Sequence, residues 1–222
     1  MKAGVVLSGC GVFDGSEIHE SVALLLALAE NHVEAVCLAP DMDQHHVIDH
    51  RDGHETDEKR SVLCEASRIA RGKIKNLKEA SVRDFDMLLF PGGYGVVKNL
   101  CTFALSGTAC KVHPEVERMI REFHSAGKPI GAICIAPALV AKVLEGKGLR
   151  LTIGDEAETA KALETLGHTH VSCDVHTVCV DKKNRVVSTP AYMLAHDIGE
   201  AASGIRKLVT AIIALAKEPV KP

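Results

Sequence analysis

The chain has 222 residues, of which 46% are hydrophobic and 25% are charged, with a formal net charge of −3. This length and composition allow a sizeable core, so we expect one domain over residues 1–222. The near-neutral charge and an aromatic content of 3% argue against a nucleic acid or a membrane surface as the main partner, because basic patches and stacking side chains are scarce.

The cysteines are scattered and form no C-x-x-C pair, which is typical of reduced thiols rather than of a disulfide framework. Residues 2–8 are already strand-like, so no targeting segment is predicted ahead of them. The longest apolar run, residues 22–29, is too short to cross a bilayer. Together these features predict a cytoplasmic protein.

Strand-like and helix-like segments alternate along the chain. Residues 2–8 and 33–39 are predicted strands around a helix with Ser16 as its N-cap and an apolar face of Val22, Leu25, Leu26 and Ala29. Further strands are predicted at 86–90, 129–133, 149–153 and 170–173, a hairpin at 177–180 and 185–188, and helices at 59–70, 114–126, 156–166 and 195–216. This alternation indicates an α/β fold with a mainly parallel sheet covered on both faces.

Cys134 follows the apolar run 129–133 and precedes Pro137, which suits the first turn of a helix. A nucleophile at such a strand-to-helix turn projects from the carboxyl edge of the sheet. The free N–H groups of the helix can hold an oxyanion, and they are expected to lower the thiol pKa. The alternative is that Cys134 is a small buried apolar residue.

Two glycine-rich loops end other predicted strands, at residues 9–17 and 91–95. Because parallel strands open on the same edge, we expect both loops to meet Cys134. Gly92 and Gly93 would let backbone N–H groups approach a ligand closely, although a lone Pro-Gly-Gly is more often a plain turn. Glu17, in the first turn of its helix, either complements the helix dipole or serves the site.

The segments Gly15-Ser16-Glu17, Pro91-Gly92-Gly93 and Ala132-Ile133-Cys134 resemble the PfpI-like branch of the class I glutamine amidotransferase-like superfamily. Longer runs, LSGCGVFDGSEIHE, FPGGYGVVKNL, GKPIGAICIAP and STPAYML, are more similar still to the isoprenoid-biosynthesis glyoxalase ElbB group. The resemblance spans nearly the whole chain.

This resemblance implies a flavodoxin-like sandwich that forms a homodimer. It implies that Cys134 is the nucleophile, Glu17 its acidic partner, and the Gly93 and Ile135 amides the oxyanion contacts. The activity implied is on glyoxal, a small aldehyde, or on early glycation adducts.

The sequence departs from the PfpI-like pattern at the third catalytic residue. Many PfpI-like proteins have histidine directly after the nucleophile, whereas Ile135 stands here, and no late His-x-Glu pair occurs. A Cys/His/Glu glutaminase or peptidase is therefore not supported. His19 and His176 are the candidate third members, and exposed or structural roles are the alternative for both.

The chemistry requires an acid that is protonated at rest, since a carboxylate beside the sulfur would raise the thiol pKa. Glu17 is expected to donate a hydrogen bond to Cys134 and to relay a proton, so that glyoxal becomes glycolate without metal, nicotinamide or glutathione.

The same features would also serve a non-catalytic redox sensor or a protective binding protein. Two other readings are weaker. The spacing of Gly9, Gly11 and Gly15 does not match a dinucleotide fingerprint. A zinc site of His46, His50 and His54 would need a helix that Asp52-Gly53 interrupts.

Overall fold

The computed structural model describes residues 1–219. The strands are β1 (Lys2–Val6), β2 (Glu34–Ala39), β3 (Val47–Ile48), β4 (Glu55–Thr56), β5 (Ile74–Asn76), β6 (Met87–Phe90), β7 (Ile130–Ile133), β8 (Arg150–Leu151), β9 (Thr169–His170), β10 (Cys179–Asp181) and β11 (Val186–Thr189). The helices are α1 (Ile18–Glu30), α2 (Val62–Ile69), α3 (Phe103–Ser106), α4 (Pro114–Ser125), α5 (Ala136–Val143), α6 (Ala157–Thr165) and α7 (Ile198–Lys217).

Seven strands form the central sheet in the order β10-β11-β7-β6-β1-β2-β5. All neighbours pair in parallel except β10 and β11, which form an antiparallel hairpin at one edge. Strands β7, β6 and β1 are adjacent, so the loops that follow them open side by side at the carboxyl edge.

The side chains of successive β6 residues contribute to two separate hydrophobic clusters, one on each face of the sheet. Leu88 and Phe90 belong to a cluster with residues of α4, α5 and α6. Met87 and Leu89 belong to a second cluster with residues of α1, α2 and α7. Side chains of successive strand residues point to opposite faces, so one short strand supplies both layers. The predicted flavodoxin-like α/β sandwich is confirmed.

Several boundaries differ from the sequence prediction. Strand β5 was not predicted, because its segment is polar and resembles a loop. An edge strand can be polar since it is only partly buried. The histidine-rich segment forms the antiparallel pair of β3 and β4 rather than an open loop. Helix α1 is capped by Glu17 and not by Ser16. None of the helices within residues 1–219 combines the length and apolarity that a bilayer crossing requires.

The buried side chain of Asn99 ties the loops at the carboxyl edge together. Its amide nitrogen donates to the carbonyl oxygens of Ser8 and Asp14 at 2.9 and 2.8 Å. Its amide oxygen accepts from the His45 backbone N–H at 2.8 Å. One side chain therefore satisfies backbone groups of the loop after β1 and of the segment before β3.

We expect Asn99→Ala to lower the free energy of unfolding by about 1–3 kcal/mol, because it leaves buried backbone groups unpaired. Urea unfolding measures the change. Asn31→Ala is the matched control, since Asn31 is exposed at the end of α1 and its side-chain amide donates to the Ala27 carbonyl of its own helix. Equal losses in both variants would contradict the tethering role of Asn99.

Candidate active site

Cys134 lies at a sharp turn between β7 and α5. Its φ of +60° is in the left-handed region, which is uncommon for a residue other than glycine. The strained backbone is held by a hydrogen bond from the Cys134 N–H to the Thr189 carbonyl at 2.9 Å. Strain of this kind concentrates at functional positions. The turn presents the side chain beyond the carboxyl end of β7, as the sequence predicts.

Two backbone N–H groups, those of Gly93 and Ile135, donate hydrogen bonds to the Cys134 sulfur. Gly93 has a φ of +96°, and a Cβ there would overlap the backbone of Gly15 and Glu17. A Cβ on Gly92 would overlap the Cβ of Cys134. Glycine is therefore required at both positions for the loop after β6 to approach the sulfur.

The carboxyl group beside the sulfur belongs to Glu20. Its side chain is fully buried and is hydrogen-bonded to Cys134. Its Oε2 accepts from the Gly92 N–H at 2.8 Å and its Oε1 from the Tyr192 N–H at 3.1 Å. The hydrogen bond to sulfur that the sequence assigns to Glu17 is thus made by Glu20.

Glu17 has a different place. Its Oε2 accepts from the Glu20 backbone N–H at 2.6 Å, which caps α1. Its side chain also lines the cavity into which Cys134 opens. Glu17 therefore acts on the sulfur indirectly, by holding the turn that carries Glu20 and by its charge.

Glu17 was predicted as the partner of Cys134 because the apolar face predicted for α1 is not the face that the structure buries. The buried side of α1 carries Glu20, Leu24, Ala27 and Leu28, whereas Val22 and Leu26 are about half exposed. Glu20 is in phase with Leu24 and Leu28 at intervals of four, so it faces the sheet. A glutamate on the apolar stripe of a helix was the signal that could have found it.

Burial and, after it, the charge of Glu17 raise the pKa of Glu20 to about 8. Burial, then the charge of Glu20, also raises the pKa of the Cys134 thiol, and these effects outweigh the Gly93 and Ile135 amides. The expectation of a lowered thiol pKa is therefore wrong, because the carboxyl group and the loss of solvent act more strongly than the helix N-terminus. The expected protonated acid is present at neutral pH as Glu20.

The candidate histidines lie away from the sulfur. His19 Nδ1 is 2.7 Å from the hydroxyl of Tyr192, whose side chain lines the cavity, so His19 supports the wall. His176 is exposed, and its Nδ1 lies 3.2 Å from the Ser203 hydroxyl. Within residues 1–219, no contact joins either ring to Cys134.

The histidines weighed as zinc ligands have separate partners. His46 Nε2 lies 2.9 Å from the Lys98 amine. His50 Nε2 accepts from the Phe13 N–H at 3.2 Å, and His54 pairs with Asp52 at 3.3 Å. Among the residues that the structure describes, no group of three or more His, Cys, Asp or Glu side chains is placed to hold a metal ion.

Cys134 is only 8% exposed, yet it lines a cavity of about 460 Å³ that leads to the surface. The wall is largely apolar, with carboxylates from Glu17 and Glu156; within the described part of the chain, no lysine or arginine lines it. Its other lining residues are Val12, Gly93, Tyr94, Val97, Phe103, Ala104, Ile135, Thr159, Tyr192 and Met193.

Comparison with known proteins gives relatives over nearly the whole chain. The chain is 47% identical over 224 residues to the rat (Rattus norvegicus) ES1 protein homolog, mitochondrial, covering 96% of this chain and 84% of the relative. It superposes on the crystal structure of an isoprenoid biosynthesis protein with an amidotransferase-like domain from Ehrlichia chaffeensis with a TM-score of 0.90 and 36% identity, covering 96% and 99% of the two chains.

A more distant structure shows the fold alone. Glyoxalase III from Candida albicans superposes with a TM-score of 0.62 and 14% identity, covering 97% of each chain.

The name of the rat protein contradicts the cytoplasmic location expected from the sequence, so that expectation is wrong. Composition and reduced thiols describe the folded domain, and they do not distinguish one reducing compartment from another.

The sequence model of the DJ-1/PfpI family matches residues 12–198, which include all three loops at the carboxyl edge. The chain belongs to the DJ-1/PfpI family.

Proposed function

We propose that the protein is a cofactor-independent glyoxalase or deglycase-like enzyme in which Cys134 is the nucleophile. The observation that carries the proposal is that one sulfur is hydrogen-bonded by two backbone N–H groups and by a carboxyl group, at the wall of an accessible cavity. The likeness in fold to a glyoxalase III agrees with this proposal.

The first step is addition of the thiol to an aldehyde carbon of glyoxal. The step starts from the form of the Cys134–Glu20 pair that has lost one of its two protons, in which Glu20 is a carboxylate. A sulfur–carbon bond forms while the thiol proton passes to this carboxylate. The carbonyl π electrons move to oxygen, and the oxyanion takes the N–H groups of Gly93 and Ile135 that bind the sulfur at rest. Glu20 then returns its proton to that oxygen, which gives a hemithioacetal.

The second step moves hydrogen between the two carbons. Glu20, now a carboxylate, removes the C–H proton next to sulfur, and a proton is returned to the neighbouring carbon through an enediol. The product is a glycolyl thioester. Water attacks it, the sulfur–carbon bond breaks, and glycolate leaves as the thiol regains a proton, so that one glyoxal and one water give one glycolic acid.

The cavity limits the substrate class. Its apolar wall and the carboxylates of Glu17 and Glu156 favour a neutral aldehyde, or an early glycation adduct of an amine, over an anionic substrate such as a phosphorylated sugar. Its volume of about 460 Å³ leaves room for a compound larger than glyoxal.

The redox-sensor alternative is less well supported. A sensor cysteine reacts as an accessible thiolate, which a lowered pKa favours. Burial and Glu20 instead raise the pKa of Cys134, so the thiol depends on a neighbouring base to react.

The homodimer remains a prediction. Ile18, Val22 and Leu26 form a stripe on α1 that is between 42% and 49% exposed. Such a stripe is a suitable surface for a second copy of the chain.

We expect Cys134→Ser to lower kcat for glyoxal by about 10³-fold or more, because the nucleophile is lost. Glycolate release measured by chromatography gives the rate. Cys64→Ser is the matched control, since Cys64 is exposed on α2 and should retain wild-type turnover. Full turnover by the Cys134 variant would contradict the proposal.

We expect Glu20→Gln to lower kcat by about 10²-fold to 10⁴-fold, because an amide cannot relay a proton. Glu30→Gln controls for the substitution on the same helix, since Glu30 is exposed and pairs with Arg206. A Glu20 variant with the kcat of the Glu30 variant would exclude Glu20 as the proton relay.

The pH dependence follows from the coupled Cys134–Glu20 pair. The reactive form has lost one of the two protons, so kcat/KM should rise with pH through the Glu20 pKa of about 8. The charge of Glu17 raises that pKa, and Glu17→Gln should therefore move the ascending limb to lower pH. A limb that stays in place, or moves to higher pH, would contradict this electrostatic link.

A further inference from the structure

Cys101 and Cys110 lie close together on two segments that pair in an antiparallel manner. An isolated antiparallel β-bridge pairs the backbones of Cys101 and Val112, and the Thr102 N–H donates to the Lys111 carbonyl at 2.9 Å. Residues two apart on such a segment point to the same side. Cys110 therefore shares a side with Val112, which brings its thiol next to that of Cys101.

The two thiols are close enough for each to affect the pKa of the other. The Cys101 thiol donates its single proton to the carbonyl oxygen of Val96 at 3.4 Å. Cys101 therefore keeps its proton, and its sulfur lies beside that of Cys110. Neighbouring sulfurs on paired segments are what a disulfide, with its S–S bond of about 2.0 Å, requires.

Cys110 is the member of the pair that borders a surface cavity. It is only 4% exposed, but it lines a cavity of about 450 Å³ together with Lys111, Arg121 and Lys142. The neighbouring Cys101 thiol, followed by the charge of Lys142, lowers the pKa of Cys110 against the effect of burial. A larger share of Cys110 is therefore thiolate at neutral pH than of an ordinary cysteine. Cys134 opens into a different cavity.

We propose that Cys101 and Cys110 form a second reactive site, a reversible dithiol–disulfide pair that is oxidised by hydroperoxides independently of Cys134. The Cys110 thiolate attacks one peroxide oxygen, the O–O bond breaks, and hydroxide leaves and takes a proton, which gives a sulfenic acid. The Cys101 sulfur then attacks the sulfenic sulfur, the S–O bond breaks, and a second water leaves. Two thiols and one hydrogen peroxide thus give one disulfide and two waters.

The pair encloses a segment that belongs to the wall of the Cys134 cavity. Residues 102–109 include α3, and Phe103 and Ala104 line that cavity. A disulfide between Cys101 and Cys110 would close this segment into a covalent loop and restrict its motion. Oxidation at the second site therefore acts on the shape of the first.

The test uses the full chain with Cys134→Ser, which removes the other reactive thiol. The protein is treated with hydrogen peroxide, denatured, alkylated with N-ethylmaleimide and digested with trypsin. Cleavage after Lys98 and Lys111 leaves both cysteines in one peptide, residues 99–111. We expect this peptide to lose both maleimide labels and two hydrogens, and dithiothreitol to restore both labels.

The exposed Cys64, in the peptide of residues 61–68, is the internal reference. The pair should be oxidised before half of Cys64 has lost its label. In Cys101→Ser, no disulfide should form, and dimedone should trap Cys110 as the sulfenic acid. Retention of both labels when half of Cys64 is oxidised would overturn the proposal, as would a disulfide from Cys110 to any other cysteine. Neither result bears on the glyoxalase proposal, because the Cys134→Ser protein cannot perform that reaction.

Discussion

The contact between the buried Glu20 carboxyl group and the Cys134 sulfur is the interaction on which the site depends. An ionised carboxylate in this dry position would be costly, so burial drives the pKa of Glu20 to about 8 and keeps a proton at the sulfur. Backbone N–H groups of Gly92 and Tyr192 fix the carboxyl oxygens from the loop after β6 and the segment after β11. The acid is therefore positioned by three separate parts of the chain.

Close backbone approach is the second constraint. The loops after β1 and β6 exchange hydrogen bonds, from Glu17 N–H to Gly92 O and from Gly95 N–H to Gly15 O, both at 2.9 Å. A Cβ at Gly15 would overlap the backbone of Cys10. Glycine at these positions lets the loops lie against each other, and that contact brings the Gly93 amide to the sulfur.

The two reactive centres differ in the direction in which their surroundings shift the thiol pKa. At Cys134, burial and an acidic neighbour raise the thiol pKa, so the sulfur reacts in concert with Glu20. At Cys110, the neighbouring Cys101 thiol and the charge of Lys142 lower the thiol pKa. The first arrangement suits proton-coupled addition to a carbonyl, and the second suits attack on an oxidant. Both centres border the segment that contains α3, which is where their chemistry can meet.

Much of the fold was predictable because it depends on local patterns. The apolar runs at β1, β2, β6 and β7 and the turn at Cys134 follow from hydrophobicity, proline and glycine. The long motifs predicted the family that the comparisons confirm. Strand β5 was missed because a short edge strand carries little apolar signal, and the location was wrong because a folded domain does not encode its compartment.

The sequence alone determined that a cysteine stands at a strand-to-helix turn beside two glycine loops, since each of these is a local feature. Only the tertiary structure decided that Glu20 is the acid at the sulfur, because the rotation of α1 on the sheet selects which of two glutamates is buried. It also decided the thiol pKa and the pairing of Cys101 with Cys110. Desolvation and contacts between distant segments arise only when the chain is packed.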